Sequence, residues 1–415
     1  MYFKAVLTSC LYWILDNNQF MGKILLIILE NIKPSWRYKA LVPYVWMDQE
    51  TIAKSRLLMS GFETSVFAPC FLGDPKLRST VQLSELRYRQ FLSAKVSARG
   101  SNVFCFRANR IVIERVVGVD PESVSYATGL VLWQGKRNAL INTPAHDDCI
   151  EKGIFLSGNG SWNYYHWLIE ILPKCQLIEA LPSPLKDYPL LVSEDVINIA
   201  SFITTLDRIM PHHSRVIMRN DQIYCVDDLV WIDTPNNLPF NMKGNNIFKT
   251  DHCRIRSETI AWLRDSLMYS AAPRPPTSAN RIFLKRKTIR RLYNQDEVEV
   301  FLQKYGFASV DMEELSFDEQ VAVFSGAKWI VGPTGAAWTN LVFAQSNAIA
   351  LCWMASGYGD FSAFSTLAGI VGVNMNYITY DVKIDSTGGL YSSNYAMKVE
   401  KIKNALHDLG LDPIN

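Results

Sequence analysis

Residues 321–343, VAVFSGAKWIVGPTGAAWTNLVF, constrain the fold more than any other stretch of the chain. The pattern predicts an apolar helix that ends near Gly326, a short strand over 328–331 and a new helix from Ala336, separated by a glycine- and proline-containing turn. This arrangement suits a bound phosphate, because the first amides of a helix are unpaired and its dipole favours an anion. It also occurs as an ordinary turn in α/β proteins, so by itself it is a weak indicator.

A strongly basic segment precedes this turn by about one strand–helix–strand unit. Residues 281–291, RIFLKRKTIRR, contain six basic residues and no acidic one. Such a run is most often a solvated face. Its first residues have strand character, however, so its arginines and the glycine turn would lie at one edge of a parallel sheet, where α/β proteins bind ligands. Arginine binds phosphate oxygens bidentately and keeps its charge, so the two elements together predict a diphosphate site.

Composition sets limits on the class of protein. The 415 residues are 48% hydrophobic and 20% charged, enough for two or three domains with their own cores. The net charge of +2 indicates no general affinity for nucleic acid. Eight cysteines occur singly, without a CxxC pair, which suits a reducing compartment and gives no zinc signature.

The pattern divides the chain into six parts. Residues 1–35 form two broken apolar helices that either dock on the body or lie on a membrane surface, and no run is long enough to span a bilayer. Of the remaining parts, 36–150 is β-rich, 151–270 is an α/β domain, 271–278 (AAPRPPTS) is a linker, 279–390 is a second α/β domain and 391–415 is a closing helix.

The first α/β domain carries the second candidate site, in Phe155–Leu172, FLSGNGSWNYYHWLIEIL. A turn at 158–160 is followed by a helix on which His166 and Glu170, four residues apart, share one face. Together with neighbouring Asn163 and aromatic rings they predict an acid/base group beside a sugar-stacking surface. The alternative is a structural histidine that is satisfied by its glutamate. The residues His146, Asp147 and Asp148 are interpreted as a solvated turn.

Three segments in order resemble glycosyltransferase family 61. They are NYYHWLIEILPK, RIFLKRKTIRRLYNQDEVEVFLQKYGF and LSFDEQVAVFSGAKWIVGPTGAAWTNLVF, and they span about 150–355. Members of the family share an N-Y-x-H-W helix, an R-x-x-x-R-R segment and a G-P-H-G-A turn. The resemblance implies a GT-B-like α/β fold, in which two Rossmann-like domains face a cleft, here with an N-terminal β-containing extension. It also implies an inverting reaction without a metal, and the sequence has no Asp-x-Asp motif.

The resemblance gives each candidate residue a role. Residues 151–270 would be the acceptor side and 279–390 the nucleotide-sugar side. His166 and Glu170 would be catalytic, one as the base and the other orienting it, and we favour His166 because histidine exchanges protons near neutral pH. The expected donor contacts are Arg286, Arg290, Arg291, Gly332, Thr334, Gly335, Ala336 and Asn340, and the expected acceptor contacts are Trp162, Asn163 and Tyr164.

Two departures from the family pattern leave the donor open. Thr334 stands where a histidine is common, and Cys352 and Trp353 stand where relatives often carry a glutamate that could hold the ribose. UDP is the favoured nucleotide, the acceptor is a glycan or lipid-linked glycan, and no cofactor, metal or nucleic acid is expected. The family favours a bacterial cytoplasmic enzyme near the inner membrane, with possible peripheral contact through 1–35. A sugar-nucleotide epimerase and a catalytically inactive binding protein are the alternatives.

Overall fold

The computed structural model describes residues 11–15, 17, 19–32, 39–143, 148–239, 241–243, 248–268, 279–287, 291–382 and 393–414. Several sequence predictions fall outside these ranges. They are Arg290, the linker 271–278, and His146 and Asp147.

The strands form two main sheets and one separate pair. In chain order they are β1 Lys39–Trp46, β2 Lys54–Met59, β3 Glu63–Phe67, β4 Arg78–Gln82, β5 Leu86–Ser97, β6 Asn102–Cys105, β7 Arg110–Ile113, β8 Val131–Gln134, β9 Asn138–Asn142, β10 Asp148–Phe155, β11 Leu190–Ser193, β12 Arg215–Met218, β13 Ile223–Ile232, β14 Arg281–Leu284, β15 Ala308–Val310, β16 Trp329–Pro333, β17 Ile349–Ala355 and β18 Asn374–Tyr380.

The helices lie mainly in the second half of the chain. The α-helices are α1 Gln19–Ile32, α2 Cys175–Ile178, α3 Asp195–Asn198, α4 Ala200–Ile209, α5 Ser257–Met268, α6 Gln295–Gln303, α7 Phe317–Gly326, α8 Ala363–Val371 and α9 Val399–Asp408. Short 3₁₀ helices span Met47–Gln49, Pro121–Ser123, Leu172–Lys174, Leu185–Asp187, Thr250–His252, Ala336–Phe343 and Ser356–Tyr358, and a π-helical turn spans His166–Ile171.

The larger sheet has eleven strands in the order β12-β11-β10-β13-β5-β6-β7-β1-β9-β8, with β2 paired to β5. Strands β12, β11, β10 and β13 are parallel, and the order reverses between β10 and β13. Strand β5 then pairs antiparallel with β13, from Ser97 opposite Ile223 to Tyr88 opposite Ile232. The β-rich N-terminal segment therefore supplies strands to the same sheet as the first predicted α/β domain.

The second sheet is entirely parallel, in the order β15-β14-β16-β17-β18. The alternation of strands and helices predicted for this region is confirmed. Ser316 and Glu319 form a capping box at the start of α7, each side chain accepting a backbone amide hydrogen. The chain reverses direction of winding between β14 and β16, and this is the switch point at which such sheets bind ligands.

One hydrophobic core joins the two sheets, since buried side chains from both sides belong to a single cluster. The helix at the N-terminus and α1 pack through Leu11, Leu15 and Leu26 against Leu140 of β9. The ring of Tyr12 stacks on Trp133 with centroids 5.7 Å apart. None of the described helices is both long enough and apolar enough to cross a membrane.

Candidate active site

The basic segment and the glycine turn meet at the carboxyl ends of β14 and β16. These strands pair in parallel, with Phe283 opposite Val331. Just beyond them, the Arg286 guanidinium donates through Nη2 to the carbonyl oxygen of Thr334. A Cβ on Gly335 would lie only 2.8 Å from that nitrogen, so glycine is needed for the arginine to cross the turn this closely. The predicted meeting of the two elements is therefore observed.

Three other basic residues of this run have partners elsewhere. Lys285 forms an ion pair with Glu299 at 2.8 Å, and Lys287 forms one with Glu314. Arg281 donates to the carbonyl oxygen of Tyr305 at 2.5 Å. The solvated-face interpretation therefore applies to the lysines and does not apply to Arg286.

Arg286 and Arg291 lie close together without a compensating carboxylate. Burial lowers the pKa of Arg286, and the neighbouring charge of Arg291 lowers it further. Arg291 has a left-handed backbone with φ of 55°, and its buried Nε has no hydrogen-bond partner within the described ranges. Among the described residues, no ion pair joins either arginine to a carboxylate. Two neighbouring cations of this kind have the chemistry to bind an anion.

Tyrosine rings form a wall beside the two arginines. Tyr395 stacks on Tyr293 at a centroid distance of 5.0 Å and on Tyr380 at 3.6 Å. The indole Nε1 of Trp353 donates to the Tyr395 hydroxyl at 3.2 Å. Burial raises the pKa of Tyr395, so its hydroxyl remains protonated at neutral pH. This wall was missed at the sequence level, because the tyrosines come from three separate segments and form no motif.

Thr334 and Gly332 are placed inside the fold. Thr334 is buried, its amide donates to the carbonyl of Trp353 at 2.9 Å, and its side chain hydrogen-bonds with Cys352. A Cβ on Gly332 would lie 2.8 Å from the Cβ of Leu284, so this glycine allows β14 and β16 to pack closely. Gly335 and Ala336 are partly exposed at the start of the following helix. That helix, predicted as helical, is a 3₁₀ helix over Ala336–Phe343.

Asn340 and Tyr164 join the two halves of the molecule. The Tyr164 hydroxyl donates to Asn340 Oδ1 at 2.8 Å, while Asn340 Nδ2 donates to Gln320 and to the carbonyl of Ala337. Asn340 is completely buried. Because Tyr164 precedes His166 by two residues and Asn340 follows Gly335 by five, this hydrogen bond brings the histidine segment next to the glycine turn.

The histidine–glutamate pair is buried and geometrically fixed. His166 Nδ1 lies 2.6 Å from Glu170 Oε2, and the side chains are 7% and 10% exposed. The other oxygen, Oε1, accepts the amide hydrogen of Leu238 at 2.8 Å. With Nδ1 donating to the carboxylate, the neutral imidazole carries its lone pair on Nε2. The pair lies in a π-helical turn, a distortion that often marks functional sites.

The turn before this helix packs directly on the imidazole. Gly160 has a φ of 77°, and a Cβ there would lie 2.8 Å from His166 Cδ2. Asn163 Oδ1 accepts the amide hydrogen of Tyr165 at 2.9 Å. Trp162 is 42% exposed and lies under the Arg99 guanidinium, 5.1 Å from the ring centroid. Of the three predicted acceptor contacts, Trp162 is therefore the most accessible, and Asn163 and Tyr164 are partly buried.

The described ranges contain no group of three or more histidine, cysteine, aspartate or glutamate side chains that could hold a metal ion. No disulfide joins the described cysteines, which are Cys70, Cys105, Cys149, Cys175, Cys225, Cys253 and Cys352. Burial raises the pKa of Cys352 far above its ordinary value, so this residue next to Thr334 is a neutral thiol.

The parallel sheet, the arginine-lined turn at its switch point and the buried histidine–glutamate pair are typical of α/β enzymes that bind phosphorylated substrates. A comparison with protein families gives the more specific result, since the model for glycosyltransferase 61 matches residues 164–351. This segment resembles a glycosyltransferase 61 domain, and the protein is a glycosyltransferase. The resemblance found in the sequence motifs is thus confirmed. A search of curated proteins gave no match.

Proposed function

We propose that the protein transfers a sugar, with inversion and without a metal, from a nucleotide-sugar donor to a hydroxyl of a growing surface glycan. UDP is the nucleotide that we favour. The observation that carries the proposal is the pair Arg286 and Arg291, two adjacent cations without a carboxylate partner among the described residues, beside the glycine turn. They would bind the donor diphosphate and stabilise the negative charge that develops on it as it leaves.

Direct displacement at the anomeric carbon fits the His166–Glu170 pair. The acceptor oxygen forms a bond to the anomeric carbon as the bond from that carbon to the diphosphate oxygen breaks, which inverts the centre. The proton of the acceptor hydroxyl moves to His166 Nε2. Glu170, fixed by the amide of Leu238, holds the imidazole in the required tautomer and stabilises it once it is protonated. His166 is therefore the proposed base and Glu170 the positioning residue.

A two-domain GT-B arrangement is the fold that we propose for this reaction. Each sheet has a parallel part with a switch point, between β10 and β13 in one and between β14 and β16 in the other. The Tyr164–Asn340 hydrogen bond supports a shared site, because it joins the histidine segment to the segment after the glycine turn.

Transfer assays would test the proposal directly. The purified protein is incubated with UDP-, GDP- and CMP-sugars, with and without saccharide acceptors and EDTA, and products are followed by mass spectrometry and NMR. We expect a product of opposite anomeric configuration that forms only with acceptor and also in EDTA. Conversion of the donor without acceptor would favour an epimerase, and nucleotide binding without any product would favour a binding protein.

We also propose that the enzyme works in the bacterial cytoplasm, in peripheral contact with the inner membrane through α1. One face of α1 packs on the body through Leu26, while large apolar residues at helical spacing are exposed on the other: Phe20 at 74%, Ile24 at 36%, Ile27 at 58% and Ile28 at 46%. The neighbouring Trp13 is 68% exposed. Residues 1–39 contain five lysines and arginines and two acidic residues, which suits an anionic lipid surface.

Vesicle binding measures this contact. We expect the protein to co-sediment with vesicles of phosphatidylcholine and phosphatidylglycerol, and F20S/I24S/I27S to lose most of the bound fraction. I197S/V300S is the matched control, because it removes two exposed apolar residues elsewhere (50% and 58% exposed) and is expected to bind like the wild type. Equal binding of all three proteins would contradict the proposal. A dimer that dissociates in F20S/I24S/I27S would assign the surface to a second copy of the chain instead.

A further inference from the structure

A cavity of about 340 Å³ lies beside the larger sheet, in a region whose sequence contains no motif associated with chemistry. Its walls include residues 114–119, which continue from β7, residues 233–235 and Asn237, which follow β13, and Arg254 and Arg256. Met47, Asp48, residues 83–86 and Arg89 complete the lining. Small-molecule sites occupy ~300–1,000 Å³, so the volume is sufficient for a ligand. The strand β13 borders the switch point of the parallel part of this sheet, which is where α/β sheets bind ligands.

The cavity extends towards the catalytic pair. A second, smaller cavity of about 50 Å³ is lined by Glu170 and by the turn at 157–159. The two cavities share the lining residues Glu114, Arg115, Val116, Thr234 and Asn237. Because a single water molecule needs only ~10–15 Å³ of such volume, the smaller cavity has room for a hydroxyl group. A ligand in the larger cavity could thus extend one hydroxyl towards Glu170.

Most of the charges in the walls are already paired. Arg89 pairs with Asp233, Arg115 pairs with Asp48, and Glu85 pairs with Arg87 at 2.5 Å. Arg256 lies 3.5 Å from Glu258. Among the described wall residues these pairs leave one carboxylate, Glu114, and one guanidinium, Arg254, outside an ion pair, so the walls carry no excess of either sign.

Glu114 and Arg254 are wall residues with hydrogen-bonding capacity to spare. Glu114 Oε1 accepts the amide hydrogen of Thr234 at 2.7 Å, which leaves Oε2 as an acceptor. Arg254 donates through Nη1 to the carbonyl of Gln82, whereas its buried Nε has no partner in the described part of the chain. The guanidinium rests on Gly118, where a Cβ would lie 1.9 Å from Nη2. The cavity therefore offers one acceptor and one donor, as vicinal hydroxyls require.

Further negative charge is disfavoured in this cavity. Burial raises the pKa of Asp233 to about 6, although the positive charge of Arg89 lowers it. The negative charge of Glu114 raises this pKa further. A carboxylate or phosphate on the ligand would add to this repulsion. Among the described residues that line the larger cavity, none has an aromatic ring, so recognition would rest on hydrogen bonds and on aliphatic contacts such as those of Val117 and Val119.

We propose that the larger cavity is the acceptor subsite and holds an uncharged, hydroxyl-rich saccharide end between Glu114 and Arg254. This inference rests on the proposed sugar transfer and specifies its acceptor. The reacting hydroxyl would extend through the smaller cavity to Glu170, whose carboxylate is hydrogen-bonded to His166. The acceptor site is thus formed by segments outside the 162–164 stretch that the sequence indicated.

Saccharide binding tests the site without turnover. Saturation-transfer NMR is recorded with methyl glycosides of glucose, galactose, mannose and N-acetylglucosamine, and with methyl glucuronide and glucose 6-phosphate as charged counterparts. We expect at least one neutral glycoside to bind at least tenfold more tightly than both charged probes. A carboxylate or phosphate probe that binds equally well or better would overturn the proposal, and so would the absence of any saccharide signal.

Variants place the binding in the cavity. V117F fills the cavity, and R254Q and E114Q each remove a charged group, while the carboxamide introduced by E114Q can still accept the amide hydrogen of Thr234. We expect each to weaken the binding of the neutral glycoside at least tenfold. R219Q is the matched control, since Arg219 is exposed and does not line the cavity, and is expected to bind like the wild type. Thermal unfolding of each variant checks that it is folded, and unchanged binding in folded V117F would overturn the assignment.

Failure of this inference differs from failure of the proposed function. If folded V117F and E114Q bind UDP and transfer sugar at wild-type rates, the acceptor binds elsewhere and only the inference is wrong. If the wild type binds neutral saccharides in the cavity but neither binds nucleotide diphosphates nor transfers sugar, the proposed function is wrong while the saccharide site remains.

Discussion

Replacing His166 with alanine is expected to lower kcat by about 10²–10⁴-fold, the contribution typical of a positioned general base. Nucleotide affinity should stay within about twofold, because the arginines that would hold the diphosphate belong to the other sheet. Single-turnover transfer rates and nucleotide titrations of the same preparation measure the two quantities separately. H212A is the matched control, since His212 is exposed on a loop, and is expected to retain wild-type turnover.

Substitution of Glu170 distinguishes a positioning role of this residue from a merely structural one. E170Q keeps an oxygen for the amide of Leu238 but removes the charge that supports a protonated imidazole. We expect a smaller loss of kcat than in H166A, together with a displaced lower limb of the pH–rate profile. Loss of stability without any change in that profile would indicate a structural pair. If folded H166A and E170A both kept full turnover, the base would have to be sought elsewhere.

The neighbouring glycine gives an independent test of imidazole placement. G160A puts a methyl group where only 2.8 Å separates it from His166 Cδ2, and it also disfavours the observed φ of 77°. We expect kcat to fall while nucleotide affinity is retained, with a loss of stability on the order of 1 kcal/mol. Wild-type kcat in a folded G160A would mean that the imidazole position does not matter for the reaction.

The sequence predicted the second sheet well, because its signals are local. The apolar strand at 281–284 lies where it was expected. The strand predicted at 328–331 is observed as β16, which continues through Pro333 and so confines the turn to 334–335. The prediction that the basic run and the glycine turn lie at the same edge of the sheet followed from the expected order of the strands alone. What local patterns did not show is that Lys285 and Lys287 are paired with glutamates, which leaves Arg286 and Arg291 for a ligand.

Long-range pairing explains what was missed. Strand β5 pairs with β13 over more than a hundred residues of intervening chain, and no periodicity encodes such a partner. That pairing brings residues 114–119 next to 233–237 and forms the cavity beside Glu170. The tyrosine wall likewise joins Tyr293, Tyr380 and Tyr395 from separate segments. Spacing showed His166 and Glu170 on one face, but not the π-helical geometry that holds them.

Removing Arg286 and Arg291 is expected to abolish measurable binding of nucleotide diphosphates. Each charge-assisted hydrogen bond contributes about 1.5–3 kcal/mol, so each arginine should account for roughly a tenfold to hundredfold change in Kd. A nucleotide at a hundred times its Kd stabilises the folded protein by about 2.7 kcal/mol, which thermal unfolding detects easily. We expect this stabilisation with UDP and not with uridine, unchanged in EDTA, and lost in R286Q/R291Q.

A control within the same basic run makes this result specific. Lys287 carries the same charge only a residue away from Arg286, but it is 58% exposed and paired with Glu314. If the site is built from the buried arginines, K287Q keeps the UDP-dependent stabilisation. If general positive charge at this edge attracts the nucleotide, K287Q and R286Q/R291Q reduce the UDP-dependent stabilisation to a similar extent. Added salt then removes this stabilisation from the wild type as well. Loss of binding in EDTA would instead require a metal ion between the protein and the diphosphate, and the metal-independent mechanism would then be wrong.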